Sequence, residues 1–212
     1  TDGDVRRGLI KGVTIHESVD EIIHKNPKFI RDESEDIHEI IKLRNLNFMI
    51  IPVIDINDRV VNVVNFKNLK SYLPIDSIIM AGGRGERLRP LTDSTPKPLL
   101  ILGDKSIMEH NVDRLALYGI NNFWFSVKYL GDQIVDYFGD GKDNNRSIKY
   151  VWEEQPLGTI GSASKIDNFK HEHILLSNSD ILTNIDYEAF YLDFLEKDAD
   201  FSVATIPYNV SI

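Results

Sequence analysis

The stretch from Ile75 to Leu100 constrains this chain more than any other. Ile75-Asp76-Ser77-Ile78-Ile79-Met80 reads as a short buried strand. Ala81 leads from it into Gly82-Gly83-Arg84-Gly85, so three glycines open where a strand of an α/β sheet hands its chain to a loop. Such sheets bind nucleotides outside the carboxyl ends of their strands. Glycine lets backbone N–H groups approach an anion with no Cβ in the way, and successive N–H groups form a concave anion site. Arg84, Arg87, Arg89 and Lys97 add four cations within fourteen residues. The pattern predicts a loop that holds phosphate.

The chain around this cluster is acidic. Net charge is −9, with residues 1–74 carrying 11 basic against 12 acidic side chains and residues 75–212 carrying 13 against 21. A cationic cluster inside the acidic part marks a site. The overall acidity argues against a general nucleic-acid-binding surface. With no cysteine, disulfides, cysteine-ligated zinc and thiol nucleophiles are excluded. No apolar run approaches the ~20 residues of a membrane span and no signal peptide is visible, so a soluble, cytoplasmic protein without membrane partners is expected. The first residue is Thr and the pattern breaks off at both ends, as in a piece of a longer polypeptide.

From Ile75 onward strands and helices alternate at βαβ spacing. Strands are expected at 75–80, 122–127, 148–153, 174–177 and 201–205, with helices at 106–118, 130–138, 158–166 and 187–197. The fold class is α/β, with a doubly wound, mostly parallel, Rossmann-like sheet. Two further loops after strands carry unusual chemistry. Trp152-Glu153-Glu154-Gln155-Pro156-Leu157-Gly158-Thr159-Ile160-Gly161 pairs acidic and amide groups with a glycine-led helix start. Leu176-Ser177-Asn178-Ser179-Asp180 places a carboxylate just past a buried strand, a position that suits Mg²⁺ beside a phosphate loop. Two phosphate motifs fail on these residues. Five positions after Gly82 stands Arg87, so the Walker A spacing is not met, and three after Gly85 stands Leu88, which breaks the dinucleotide fingerprint.

Gly82-Gly83-Arg84-Gly85-Glu86-Arg87-Leu88-Arg89-Pro90-Leu91-Thr92, then Pro96-Lys97-Pro98, Leu157-Gly158-Thr159-Ile160-Gly161 and Asp180 occur in one order. In that order they resemble the nucleotidyltransferase domain of the sugar-1-phosphate nucleotidyltransferases, over residues 75–205. The resemblance implies transfer of a nucleoside monophosphate from an NTP to a sugar-1-phosphate, giving a nucleotide-sugar and pyrophosphate with Mg²⁺ as cofactor. By the same resemblance Arg87 and Lys97 are the catalytic cations, Arg87 at the β,γ-phosphates and Lys97 at the α-phosphate. Ala81, Gly82, Gly83 and Gly85 would line the nucleotide, with Glu153 near the base and Gly158 near the sugar, and Asp180 would hold the metal. Glu86 departs from the small or hydroxyl residue usual before the arginine. The Glu-Glu-Gln-Pro-Leu-Gly-Thr segment resembles guanylyltransferases, which makes GTP the expected donor and surface-glycan or amino-sugar synthesis the expected setting. The family's acceptor lysine and second metal aspartate fall beyond Thr205.

Residues 1–73 read differently. Helix starts at Thr1-Asp2-Gly3-Asp4 and Asn65-Phe66-Lys67-Asn68 bracket an amphipathic segment at 36–44 and two apolar runs, 48–54 and 60–64, that form a hairpin about Asn57-Asp58-Arg59. The order resembles the cystathionine-β-synthase (CBS) domain, a small α+β module that occurs in tandem and often binds adenosine ligands. Thr1 and Asp4 match its ribose-contacting pair, while Asn62, Asn65 and Asn68 replace the corresponding residues of the second copy. The expected organisation is a CBS-like domain over 1–73, the tail of one repeat plus a second, with a transferase domain over 74–212 and association into a homo-oligomer. A competing expectation is an adenosine-ligand sensor whose transferase half binds nucleotide without turnover. His16, His24 and His38 receive no role. His171 and His173 are expected in solvent, Trp124 and Trp152 in the sheet core, and the acids from Asp186 to Asp200 on or beside a solvated helix.

Overall fold

A computed structural model describes residues 2–34, 36–155, 158 and 160–205. Thr1, Leu157 and Thr159 lie outside the described residues. The chain divides into two compact units, one of 1–33 with 50–64 and the other of 34–49 with 65–212.

In the smaller unit, helix α1 (Asp2–Ile10) precedes a sheet of β1 (Ile30–Arg31) and the strands β2 (Ile50–Ile54) and β3 (Val60–Asn65), in the order β1-β2-β3. β1 runs parallel to β2, pairing Ile30 with Val53. The turn between β2 and β3 is an Asx turn, in which Asp55 Oδ1 accepts from Asn57 N at 2.8 Å and Arg59 N at 2.9 Å. Arg31 braces it through Asp58 at 3.0 Å.

The larger unit begins with α2 (Ile37–Asn45), capped by Asp36, whose carboxylate accepts from the N–H groups of His38 and Glu39. Its buried Ile37, Ile40 and Leu43 recur every three residues, one stripe of a helix. The expected helix at 69–73 does not form. Leu73 N instead donates to Tyr118 O at 2.8 Å and Lys70 N to Leu117 O at 2.7 Å, so this segment spends its donors on another part of the unit.

The main sheet contains β4 (Ile75–Met80), β7 (Asn122–Val127), β8 (Ser147–Trp152) and β9 (His173–Asn178), all parallel, in the order β8-β7-β4-β9. A two-stranded antiparallel ribbon, β5 (Ile101–Leu102) and β6 (Lys105–Ser106), leads into α3 (Ile107–Ala116). α4 (Gly131–Phe138) joins β7 to β8, and α5 (Tyr187–Glu196) follows β9. β4 is buried along its length, as a central parallel strand covered on both faces must be. One face carries Ile78, Val151 and Ile166, with Met80, Trp124, Phe169 and Leu176 packed against them. On the other, Phe125 meets Phe138 of α4 edge-on at 5.2 Å. Asp76, fully buried in β4, accepts from Lys170 N at 2.5 Å and His171 N at 3.3 Å.

Five expectations are corrected here. Residues 201–205 carry no strand, and 158–166 contains only a 3₁₀ segment, Gly161–Lys165. Trp152 is 45% exposed, at the end of the edge strand β8, with its ring against Gly131 of α4. His173 belongs to β9 and packs edge-on against Tyr191 and Phe194 of α5, with Nδ1 3.0 Å from the Tyr191 hydroxyl. Glu188 is not a solvated acid: Arg44 grips it with two bonds of 2.8 Å and Ser71 donates to it. Among the described residues no helix is long and apolar enough to cross a membrane.

Candidate active site

The four parallel strands end in one row. Ladder hydrogen bonds continue one residue past them, Ala81 N to Ser126 O at 2.8 Å, Glu153 N to Val127 O at 3.0 Å and Ser179 N to Met80 O at 3.1 Å. The residues that follow, Gly82, Glu154 and Asp180, therefore emerge side by side at the carboxyl edge.

The glycine loop fits against its neighbours with little to spare. A Cβ on Gly82 would stand 3.2 Å from Lys128 Cβ. Gly85 has φ +63°, and a Cβ there would stand 3.0 Å from both Lys97 Cβ and Thr92 Cγ2. Thr92, buried, donates from Oγ1 to Gly85 O at 2.9 Å, and the Tyr129 hydroxyl donates to Thr92 O at 3.1 Å. Gly83 differs, with nothing within 4 Å of where its Cβ would be. Its open side is where a ligand can reach the backbone.

The cations stand in four different situations. Arg89 is neutralised locally, 3.8 Å from Glu86 and 3.4 Å from Asp93. Arg84 lies over the Tyr129 ring at 5.7 Å. Arg87 sits exposed in the 3₁₀ turn Glu86–Leu88 with no hydrogen-bond or ion-pair partner among the described residues. Lys97 opens a second 3₁₀ turn, Lys97–Leu99, between Pro96 and Pro98, which restrict the backbone around it. Its ammonium donates to Asp180 Oδ2, across 83 positions of sequence. Two residues that the motifs single out separately thus form one ion pair.

Glu153 is buried, and its Oε1 accepts from Ser126 Oγ. That bond fixes the carboxylate against β7. Gly158, at φ +75°, has open space where a Cβ would be. Asp4 lies in α1 of the smaller unit, where Arg7 donates to it.

Sequence reasoning missed three groups. Asn111 Nδ2 donates to Ser179 O at 2.9 Å, Ser126 holds Glu153, and Tyr129 and Gln133 tie the 81–100 loop from the far side, the latter at 2.9 Å to Ser94 O. The one available signal was polarity out of place, an Asn in the apolar stripe of Met108, Val112 and Leu115 and a Ser within Phe-Trp-Phe-Ser-Val.

Among the described residues no group of three or more His, Cys, Asp or Glu could hold a metal ion by itself. Asp180 offers a single hard carboxylate at the carboxyl edge of the sheet, next to the Lys97 ammonium. That donor set fits Mg²⁺, which takes one or two protein carboxylates and completes its shell with water and substrate phosphate.

A glycine loop and a lysine–carboxylate pair thus stand at the carboxyl edge of a parallel sheet, the edge at which sheets of this class bind their ligands. Residues 76–211 match the nucleotidyl transferase family, and the chain belongs to that family. It is 36% identical over 121 residues to a mannose-1-phosphate guanylyltransferase of Mycobacterium tuberculosis, covering 57% of this chain and 33% of the relative. It is 37% identical over 119 residues to an N-acetylmuramate α-1-phosphate uridylyltransferase of Neisseria meningitidis, covering 54% of this chain and 51% of the relative. This chain thus spans about a third to a half of the length of these relatives. A solved structure from Bacillus anthracis, assigned as a glucose-1-phosphate thymidylyltransferase, shares the fold at a TM-score of 0.50 and 24% identity, covering 57% of this chain and 50% of that one.

Proposed function

We propose that residues 74–212 catalyse transfer of a nucleoside monophosphate from an NTP to a sugar-1-phosphate. A phosphate oxygen of the sugar-1-phosphate attacks the α-phosphorus, and the bond from that phosphorus to the oxygen bridging the α- and β-phosphates breaks. Pyrophosphate leaves and a nucleotide-sugar remains. Both reactants are polyanions, so the task is orientation and charge neutralisation rather than proton transfer. Mg²⁺ held by Asp180 would neutralise phosphate oxygens. Lys97 releases Asp180 when the triphosphate arrives and turns its ammonium to the α-phosphate. Arg87, with all its donors free, takes the departing pyrophosphate in a fork that matches two phosphate oxygens. Ala81, Gly82, Gly83 and Gly85 line the nucleotide. Glu153, locked by Ser126, serves the base, and Gly158 the sugar.

The observation that carries this reading is the meeting of Lys97 and Asp180, in a chain whose glycine loop also carries Arg87 without a partner among the described residues. GTP is the proposed donor, a choice supported by the guanylyltransferase relative and by the residues around Glu154. The test offers GTP, UTP, dTTP and CTP with Mg²⁺ and a panel of sugar-1-phosphates and reads pyrophosphate release. Release with GTP above the other three bears the proposal out; binding without release from any pair overturns the transferase reading.

Residues 1–73 are proposed as a CBS-like regulatory domain that takes an adenosine ligand and promotes homo-oligomers. The exposed Ile50, Val60, Val61 and Val63 of its sheet support the second point. Sedimentation with and without AMP checks both, and a monomer indifferent to AMP removes them.

A further inference from the structure

The segment that carries Asp180 is held from a helix outside every motif. α3 buries Met108, Val112 and Leu115, and Asn111 among them is only 6% exposed. An amide placed in such a stripe is costly unless it is hydrogen-bonded. Asn111 donates to Ser179 O at 2.9 Å, directly before Asp180. One turn along α3, Arg114 Nη2 donates to Ile185 O at 2.6 Å, and its guanidinium lies 5.8 Å from the Tyr187 ring. Residues 181–186 have no regular secondary structure. The stretch Ser179–Ile185 is thus tied at its first and last carbonyls to two side chains three residues apart on one rigid helix.

We propose that Asn111 and Arg114 are positioning residues for Asp180. They fix the backbone on either side of its carboxylate, so that its oxygen stands where Lys97 meets it and where a metal ion with bound phosphate would replace Lys97. The inference rests on the reading of Asp180 as the metal ligand. A ligand carried on unsupported coil must be ordered at the moment of binding, whereas groups behind a metal ligand that pre-order it strengthen the metal site. The N–H of the same Ser179 continues the strand ladder by donating to Met80 O at 3.1 Å. The Asp180 backbone is therefore set from β4 on one side and α3 on the other.

The test titrates Mn²⁺ into the chain with the α,β-methylene analogue of the triphosphate that the pyrophosphate assay selects. Free Mn²⁺ is read by electron paramagnetic resonance, and thermal unfolding is followed on each preparation. Asn111→Leu keeps the branching at Cγ and suits its apolar neighbours while removing the donor. It is expected to weaken Mn²⁺ binding about tenfold, the usual scale for a group behind a metal ligand. Analogue binding without metal should not change, and Arg114→Met should follow with a smaller loss. Wild-type Mn²⁺ affinity in a folded Asn111→Leu protein, beside a clear loss in Asp180→Asn, overturns this inference and leaves Asp180 as the ligand. Unchanged affinity in Asp180→Asn removes the ligand reading and the inference with it. If Asn111→Leu does not fold, Arg114→Met decides, and undiminished affinity there overturns the claim.

Discussion

Arg44 and Glu188 meet through two bonds of 2.8 Å, with Arg44 also donating to Lys70 O at 2.5 Å and Ser71 donating to the same carboxylate, whereas Lys97 and Asp180 meet through one ammonium donor. The side chains of the first pair are 25% and 17% exposed, those of the second 34% and 31%. Glu188 holds the Arg44 charge chiefly by hydrogen bonding, which raises the Arg44 pKa. A fork with its donors matched fixes an orientation, while a point charge on a four-carbon stem does not. The Arg44 pair joins α2, the 65–74 segment and α5 as a strut. The Lys97 pair lies at the carboxyl edge of the sheet, and under the proposed function each partner would exchange the other for a phosphate or a metal ion.

Substitutions at the Lys97 pair should have the largest effect. Lys97→Met and Asp180→Asn are each expected to lower turnover about 100-fold or more, the scale of one lost transition-state contact, with urea midpoints unmoved. Arg87→Ala should fall in the same range and Arg87→Lys recover part of it, because the fork is gone but the charge remains. A large midpoint shift in Lys97→Met would erase the distinction between the two pairs.

The opposite signature is expected for Arg44→Met and Glu188→Gln. Stability should drop by about 1–2 kcal/mol, between the values for exposed and buried pairs, and triphosphate affinity should hold. A tenfold loss of affinity would make the strut part of the site. Gly85→Ala falls between the classes. Its φ of +63° and the 3.0 Å approaches to Lys97 and Thr92 predict a cost of about 1 kcal/mol together with a raised KM for triphosphate.

The smallest effect is a pH dependence at a third cluster. Burial would raise the Asp113 pKa, but bonds from Lys105 at 2.5 Å and Arg146 at 2.6 Å outweigh it and hold the carboxyl below its ordinary value. A depressed folded-state pKa gives stability that is present above the unfolded value of about 3.9 and lost as pH falls through the folded one. Asp113 is partly exposed, so after solvent screening Asp113→Asn should cost only about 0.5 kcal/mol at pH 7. The two proteins should converge at pH 2. Equal stability at both pH values would show that solvent cancels the cluster.

The elements of the main sheet were legible because their signals are local. Apolar runs bounded by glycine or polar turns marked β4, β7, β8 and β9 to within about a residue, and the helices expected at 106–118 and 187–197 begin within a residue of α3 and α5. Where expectation failed, a partner distant in sequence decided. Lys70 and Leu73 gave their N–H groups to the end of α3 and the turn after it rather than to a helix of their own, and His173 was drawn into β9 by pairing with Ile75.

The sequence by itself determined the parallel sheet, the glycine loop and the identity of the residues that can meet phosphate, since strand burial, backbone freedom and charge type are properties of short stretches. Only the tertiary structure decided which of four clustered cations is unpaired, that Lys97 and Asp180 form one pair, and that Asn111 and Arg114 hold the loop between β9 and α5. Those facts depend on strand order and on one helix reaching two carbonyls beyond another strand. Contacts across 68 and 83 positions leave no periodic trace in a chain.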